Sequence, residues 1–182
     1  MLTATNTDNN EVCLASTNEL FKFADDKPFV AECRLQYAEA NTNQANVAFG
    51  FADAMGANLI ADDGASVGIN SSGVLIYKAT GGTVWRCNSE NNTAATDTVS
   101  ISTAGGASYQ RLTIVGRPVN GTQYELTFFL DGAALRDSAN KAIKHTLLYA
   151  SSTEMDFGVY LKTGSATEEI VNVDYVYFAC KR

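Results

Sequence analysis

Glu154 and Asp156, in STEMDFGVYLK, stand two residues apart. On a strand such positions face one way, so the pair offers two carboxylates side by side, as glycoside hydrolysis requires of its acid and its nucleophile or base. A glycosidase on a β-sandwich commonly carries a third acid further along that strand, and here the next positions are Phe157, Gly158, Val159 and Tyr160. Glu168 and Glu169 are adjacent, point oppositely on a strand and cannot replace it. His145 is the only histidine, which removes multi-histidine metal sites. Its surroundings, AIKHTLL, hold no nucleophile motif such as GxSxG, so it reads as an ordinary histidine.

Asp53, Asp62 and Asp63 lie in FADAMGANLIADDGAS, where a loop could gather them around calcium, but their spacing is not the D-x-D-x-D-G of an EF-hand. They read as a solvated loop. Asp131, in YELTFFLDGAAL, is followed by Gly132, and Asp-Gly between two apolar runs is hairpin-turn chemistry that lets Phe128 face Leu135. Trp85, Tyr77 and Tyr109 have faces on which sugar rings could stack, although core packing is the default for aromatics in an all-β chain. Cys13, Cys33, Cys87 and Cys180 are far apart and form no CxxC, so they read as free thiols, with disulfides after release from a cell left open. The sequons at Asn70, Asn91 and Asn120 are expected by chance in a chain this rich in Asn and Thr. No catalytic, cofactor-binding or metal-binding residue is assigned.

The elements that position these side chains are strands. In FVAECRLQY, Phe29, Ala31, Cys33, Leu35 and Tyr37 alternate with polar or smaller partners, the pattern of a half-buried strand. NVAFGFAD puts Val47, Phe49 and Phe51 on one face and Ala48, Gly50 and Ala52 on the other, where small residues admit a second layer or a loop. SVGIN, GVLIYK, TVWRC, TVSIST, YQRLTIVG, YELTFFL, MDFGVYLK and IVNVDYVYFA continue the series between turns such as NSSG, TGG and STAGGAS. Many short strands with such turns predict an all-β sandwich or jelly roll. The one helix candidate spans 137–148, with Asp137 or Ser138 as cap.

Asn120-Gly121 marks a hairpin. A strict two-residue turn there would pair Val119 with Thr122 and put Leu112 and Ile114 on the face opposite Leu126 and Phe128. A longer loop, or a bulge near Pro118, brings all four onto one side together with Leu130, and that version is expected.

At 182 residues the chain suits one domain, expected over 21–182 after an irregular arm over 1–20. Hydrophobic residues make up 46%, while charged residues at 18% fall below the usual figure of about 25%. The net charge of −7 opposes a phosphate backbone and an anionic membrane, so neither partner is expected. No apolar run reaches the roughly 20 residues of a membrane helix, and MLTATNTDNNEV does not read as a signal peptide, which predicts synthesis in a cytosol. No glycine loop follows a strand and opens a helix, so nucleotide binding has no support.

In their order, KPFVAECRLQY, NVAFGFAD, QRLTIVG, YELTFFLDGAAL, MDFGVYLKTG and NVDYVYFA resemble the concanavalin A-like, laminin-G-like jelly roll of phage structural proteins over roughly residues 20 to 180. The resemblance implies two stacked antiparallel sheets with the terminal strands near one another. It departs from the enzymatic members in lacking their carboxylate triplet, and from the lectins in lacking a recognisable ligand set. The expectation is a non-enzymatic virion structural protein: a phage head decoration, or cement, protein without cofactor, made in the host cytoplasm and bound to the major capsid protein on the capsid surface as a dimer or trimer. Its residues 1–20 are expected to order against a neighbour. The alternative is a carbohydrate-binding, lectin-like module displayed on a virion surface, with Trp85 as a stacking residue.

Overall fold

In a computed structural model the described residues are 1–18, 21–23, 27–39, 43–56, 58–62, 67, 72–91, 94–148 and 154–181. They form fourteen strands: β1 Leu2–Ala4, β2 Glu11–Ala15, β3 Phe21–Lys22, β4 Phe29–Ala38, β5 Ala45–Ala52, β6 Ser72–Lys78, β7 Val84–Asn91, β8 Ala95–Thr103, β9 Gln110–Asn120, β10 Gln123–Leu130, β11 Ala133–Ala134, β12 Lys144–Leu148, β13 Glu154–Thr163 and β14 Glu169–Cys180. The first sheet runs β1-β14-β4-β9-β10-β11 with β12 also on β10, and the second runs β2-β13-β5-β6-β7-β8 with β3 also on β13. Every strand pairing is antiparallel, and the two sheets enclose one core. Among the described residues no helix is long and apolar enough to cross a membrane.

The alternation read in β4 is the alternation of burial: Phe29, Ala31, Cys33, Leu35 and Tyr37 all point into the core. Phe21, Phe29, Phe51, Phe157 and Phe178 meet there, with ring centroids 4.9–6.5 Å apart. Burying such a side chain contributes about 1.5–3 kcal/mol. The β9–β10 hairpin resolves its register as expected. Asn120 pairs with Gln123, a bulge leaves Val119 without an opposite, and Tyr124 then faces Pro118. Leu112, Ile114, Leu126 and Phe128 consequently share the buried side, with Leu130 packed against it.

β14 carries a second bulge. Its register shifts between Val173 and Tyr175, so Asp174 has no partner opposite it on β4. Before the bulge Val171 and Val173 pack on the core; beyond it Val176 and Phe178 take that role. Tyr175 and Tyr177 are thereby turned outward.

Two expectations need correction. The arm expected over 1–20 is not irregular where it is described, over 1–18: β1 pairs with β14 and β2 with β13, so the segment contributes an edge strand to each sheet. The turn between these strands is held by the buried Thr163, whose Oγ donates to Thr7 O at 2.7 Å and accepts from Asn10 N at 3.0 Å. Nor does a helix form over 137–148. Asp137 Oδ1 accepts from Ala139 N and Lys141 N, both at 2.9 Å, closing a turn, and Lys144–Leu148 runs as β12 along β10. Asp137 thus closes a turn and caps no helix, because Ile143, His145 and Leu147 follow the two-residue period of a strand.

Candidate functional site

The outward face of the second sheet is where the sequence placed a carboxylate pair. Glu154 and Asp156 do share that face with Gly158, Tyr160 and Lys162 further along β13, so no third acid lines up with them. Asp156 is also occupied, with Oδ1 3.5 Å from Ser16 Oγ and Oδ2 3.4 Å from Met55 N.

Beyond Asp156 the face is covered, while Glu154 at the start of β13 is exposed. Every residue of β5 and β6 is buried on whichever side it points, because Met55, Leu59, Ile60 and Val67 pack over Ala48, Ala52, Leu75, Tyr77 and Tyr160 as a second apolar cluster. The small residues of NVAFGFAD thus admit a loop from the chain itself. Lys162, fully buried, fastens the covering segment: its ammonium donates to Ile60 O at 3.1 Å, to Asn58 Oδ1 at 3.0 Å and to the Asp62 carboxylate. Glu11 holds the same segment from β2, accepting from Asn58 N at 3.0 Å and from the Tyr160 hydroxyl. Asp62 is therefore the counter-ion of Lys162, Asp53 follows β5 with its amide on Ser72 O at 2.9 Å, and Asp63 lies outside the described residues. Among the described residues no group of three His, Cys, Asp or Glu side chains could hold a metal ion.

Asp131 has a structural task. It sits at φ 52° and Gly132 at φ 86°, the left-handed pair of a tight hairpin turn, and Asp131 Oδ1 accepts from Arg111 N at 2.8 Å. His145 is buried between the sheets, Nδ1 2.9 Å from Ser89 Oγ and Nε2 3.0 Å from Thr98 Oγ. Burial pushes its pKa down to about 4, which outweighs the opposing pull of Asp97, so the ring is neutral and links β12 to β7 and β8. Ser89 is only 2% exposed, whereas a nucleophile must reach its substrate.

Trp85 and Tyr77 are both 0% exposed and cannot stack on a sugar, which corrects the role proposed for Trp85. The indole donates to Gln110 Oε1 at 3.1 Å and meets the Tyr37 ring edge-on at 6.0 Å. All four cysteines are free; Cys33 and Cys87 are buried, which pushes their thiols well up, and Cys13 and Cys180 are exposed. Of the sequons, Asn91 donates to Leu148 O, Asn120 organises the β9–β10 turn, and Asn70 lies outside the described residues.

An open cleft of about 360 Å³ between Tyr37, Glu39, Asn43, Thr83 and Thr103 has its one carboxylate already engaged, by Gln44 N at 2.8 Å and by the buried Lys78.

The outward face of the first sheet is open, and Tyr109 is the only residue of it that sequence reasoning singled out. Tyr109, Tyr175 and Tyr177 are 41%, 36% and 53% exposed. They surround a polar network on β4 and β9. Glu32 accepts from Tyr175 Oη at 2.6 Å and from Thr113 Oγ at 2.9 Å, with Arg111 Nε 3.8 Å away. The hydrogen bond to Glu32 raises the Tyr175 phenol above its usual pKa. Arg34 pairs with Asp174 at 2.6 Å and lies 4.6 Å from the centre of the Tyr109 ring. Aromatic, arginine and carboxylate side chains held in one exposed array can recognise a partner.

No family model matches the chain, and no curated relative does. Solved structures match over nearly its whole length. The potassium-bound carbohydrate recognition domain of Emp46p is 10% identical, with 97% of this chain and 81% of that one covered and a TM-score of 0.62. The legume lectin-like domain from Entamoeba histolytica is 8% identical over 97% and 81%, at 0.59. The endo-1,3-beta-glucanase from Streptomyces sioyaensis is 14% identical over 91% and 68%, also at 0.59. At such identities the likeness is one of fold, and the chain has the concanavalin A-like, legume-lectin-like jelly roll, a sandwich of two antiparallel sheets.

Proposed function

We propose that this chain is a non-catalytic module that acts by surface contact, as a decoration protein on an assembled viral shell. The observation that carries the non-catalytic part is the cover on the second sheet: Met55, Leu59, Ile60 and Val67 pack over its outward face, Lys162 holds Ile60 in place, and Asp156 is engaged by Ser16 and Met55, which leaves Glu154 exposed without a free carboxylate two residues along. A glucanase-like neighbour does not reopen that face. Decoration of a phage head adds the resemblance in the strand and turn motifs. A protein that binds only the assembled lattice stabilises it by mass action, and repeated sites on a lattice favour a symmetric oligomer.

The test is to separate a native lysate on a density gradient and quantify the chain in the particle fraction. Co-sedimentation in a fixed, high ratio to a major shell protein supports decoration, and absence from particles ends it. Turnover of a β-1,3-glucan by the purified chain would end the non-catalytic reading.

A second reading, glycan recognition by a lectin-like module, is favoured by the three exposed tyrosines and by neighbours described as carbohydrate recognition domains. Saturable binding to an immobilised glycan, with none to shells, selects it.

A further inference from the structure

The exposed Tyr–Arg array has a size, a charge and a rigidity that restrict what it can hold. It spans three neighbouring strands, β14, β4 and β9. With strands about 4.8 Å apart and same-face positions about 6.8 Å apart along each, it covers roughly 300 Å². A stable contact between two proteins needs about 800 Å² from each. The array is too small to hold a second copy of this chain by itself, and it suits a ligand a few rings long.

Its charges cancel within it. Arg34 is paired with Asp174 and Arg111 stands beside Glu32, so a neutral patch lies on a chain of net charge −7. An anionic ligand would be repelled by the whole protein and meet no unpaired cation in the array; a cationic one would meet no unpaired carboxylate. A neutral ligand rich in hydroxyls fits, because each paired guanidinium and carboxylate keeps further donor or acceptor positions free.

The array is also held before any ligand arrives. Tyr175 is tethered through its hydroxyl to Glu32, Thr113 fixes the other oxygen of Glu32, and Arg34 rests on the Tyr109 ring. Tyr177, two residues from Tyr175 on the same side of β14, is the most exposed of the three rings. Two rings one same-face repeat apart, beside a line of charged hydrogen-bonding groups, match a chain of pyranose rings, whose C–H faces pack on aromatics while their hydroxyls find polar partners.

We propose that the outward face of the first sheet, around Tyr175, Tyr177 and Arg34, binds a neutral oligosaccharide. This rests on the glycan-recognition reading and adds where the sugar sits: on the exposed sheet, opposite the face that bears the carboxylate pair.

The experiment titrates the full chain with cellohexaose, maltohexaose and N-acetylchitohexaose, following amide shifts by NMR and affinity by calorimetry. Variants are Tyr177→Ala, which breaks no hydrogen bond of the network, and Arg34→Ala. Val99→Ala, on the other sheet, is the control, and thermal melts confirm that each variant is folded. The expected result is binding of at least one sugar with shifts centred on β14 and β4, weakened tenfold or more by Tyr177→Ala and by Arg34→Ala and unchanged by Val99→Ala. Binding equally strong in all variants overturns the placement and leaves glycan recognition standing. No binding of any sugar at millimolar concentration removes both. If instead Tyr177→Ala changes the oligomeric state in light scattering and no sugar shifts the amides of this face, the face belongs to self-association and the proposal fails.

Discussion

Lys162 on β13 and Asp62 in the covering segment form an ion pair across the outward face of the second sheet, with the lysine fully buried and the aspartate half in solvent. The pair joins a strand to a loop about a hundred residues away in sequence, and two further oxygens complete the ammonium's donor set. Lys162→Met keeps the bulk and removes the donors. It is expected to destabilise the fold by about 1–3 kcal/mol through the stranded carbonyl of Ile60 and the lost pairing. Hydrogen exchange of the Leu59 amide, bonded to Gly56 O at 3.2 Å, should accelerate beyond the global change as the segment loosens. Equal acceleration at every amide would mean that the segment and the sheet open as one unit.

His145 makes stability depend on pH with a definite sign. Its folded pKa, about 4, lies below the ordinary 6.5, so the neutral ring is favoured by folding. The contribution is complete above pH 6.5 and is lost as pH falls from there towards 4, by about 3 kcal/mol in all. Urea unfolding of the wild type and of His145→Phe between pH 7.5 and 4.5 isolates it, since carboxylates common to both cancel in the difference. The wild type should lose more stability than the variant on acidification; parallel curves would falsify the assignment.

Asp131 is expected to matter for stability and not for binding. Alanine at φ 52° is strained and leaves the Arg111 amide without its acceptor, so Asp131→Ala should cost about 1–3 kcal/mol. Asp131→Asn, which tolerates that backbone and keeps an acceptor, should recover most of the loss. If the two variants melt together below the wild type, the carboxylate charge matters and the turn geometry does not.

The cysteines should separate by reactivity. Cys180 is exposed and is expected to react first with an aromatic disulfide reagent. Cys13 is slower despite its exposure, because partial burial and the carboxylates of Asp156 and Glu11 hold its thiol up and its Sγ lies 3.3 Å from Met55 O. Cys33 and Cys87 should label only on unfolding. Four equally fast thiols in native buffer would contradict the packing of both sheets.

The sequence displays its fold where one face is wet. FVAECRLQY declares itself because Val30, Arg34 and Gln36 stand toward solvent while their neighbours are buried. NVAFGFAD is less open, since both its faces are dry, and its alanines and glycine only hint at a cover. At Gly50, where φ is 144°, a Cβ would fall 2.1 Å from Val74 O, so the residue that looked merely small is one the strand spacing requires. EVCLA shows no alternation, for its burial is intermediate or exposed throughout and its partner lies more than 140 residues away, so local pattern had nothing to report. The aromatics misled in both directions. Trp85 and Tyr77 are polar-tipped but buried, while Tyr175 and Tyr177 occupy positions that a strict two-residue period from Val171 and Val173 would have sent inward. Asp174, the residue that breaks that period, is visible in the sequence, but the bulge shows only in the pairing with β4.

That one residue acts within the strand as a frameshift acts within a gene. Everything downstream of Asp174 is read on the other side, so the same string of letters, YVYF, means valine and phenylalanine to the core and two phenols to the outside. A chain lacking it would keep almost the same composition and present a different face, with Phe178 taken from the aromatic cluster and the tyrosines facing inward. What this protein shows to its surroundings is thus set less by which residues β14 contains than by how many.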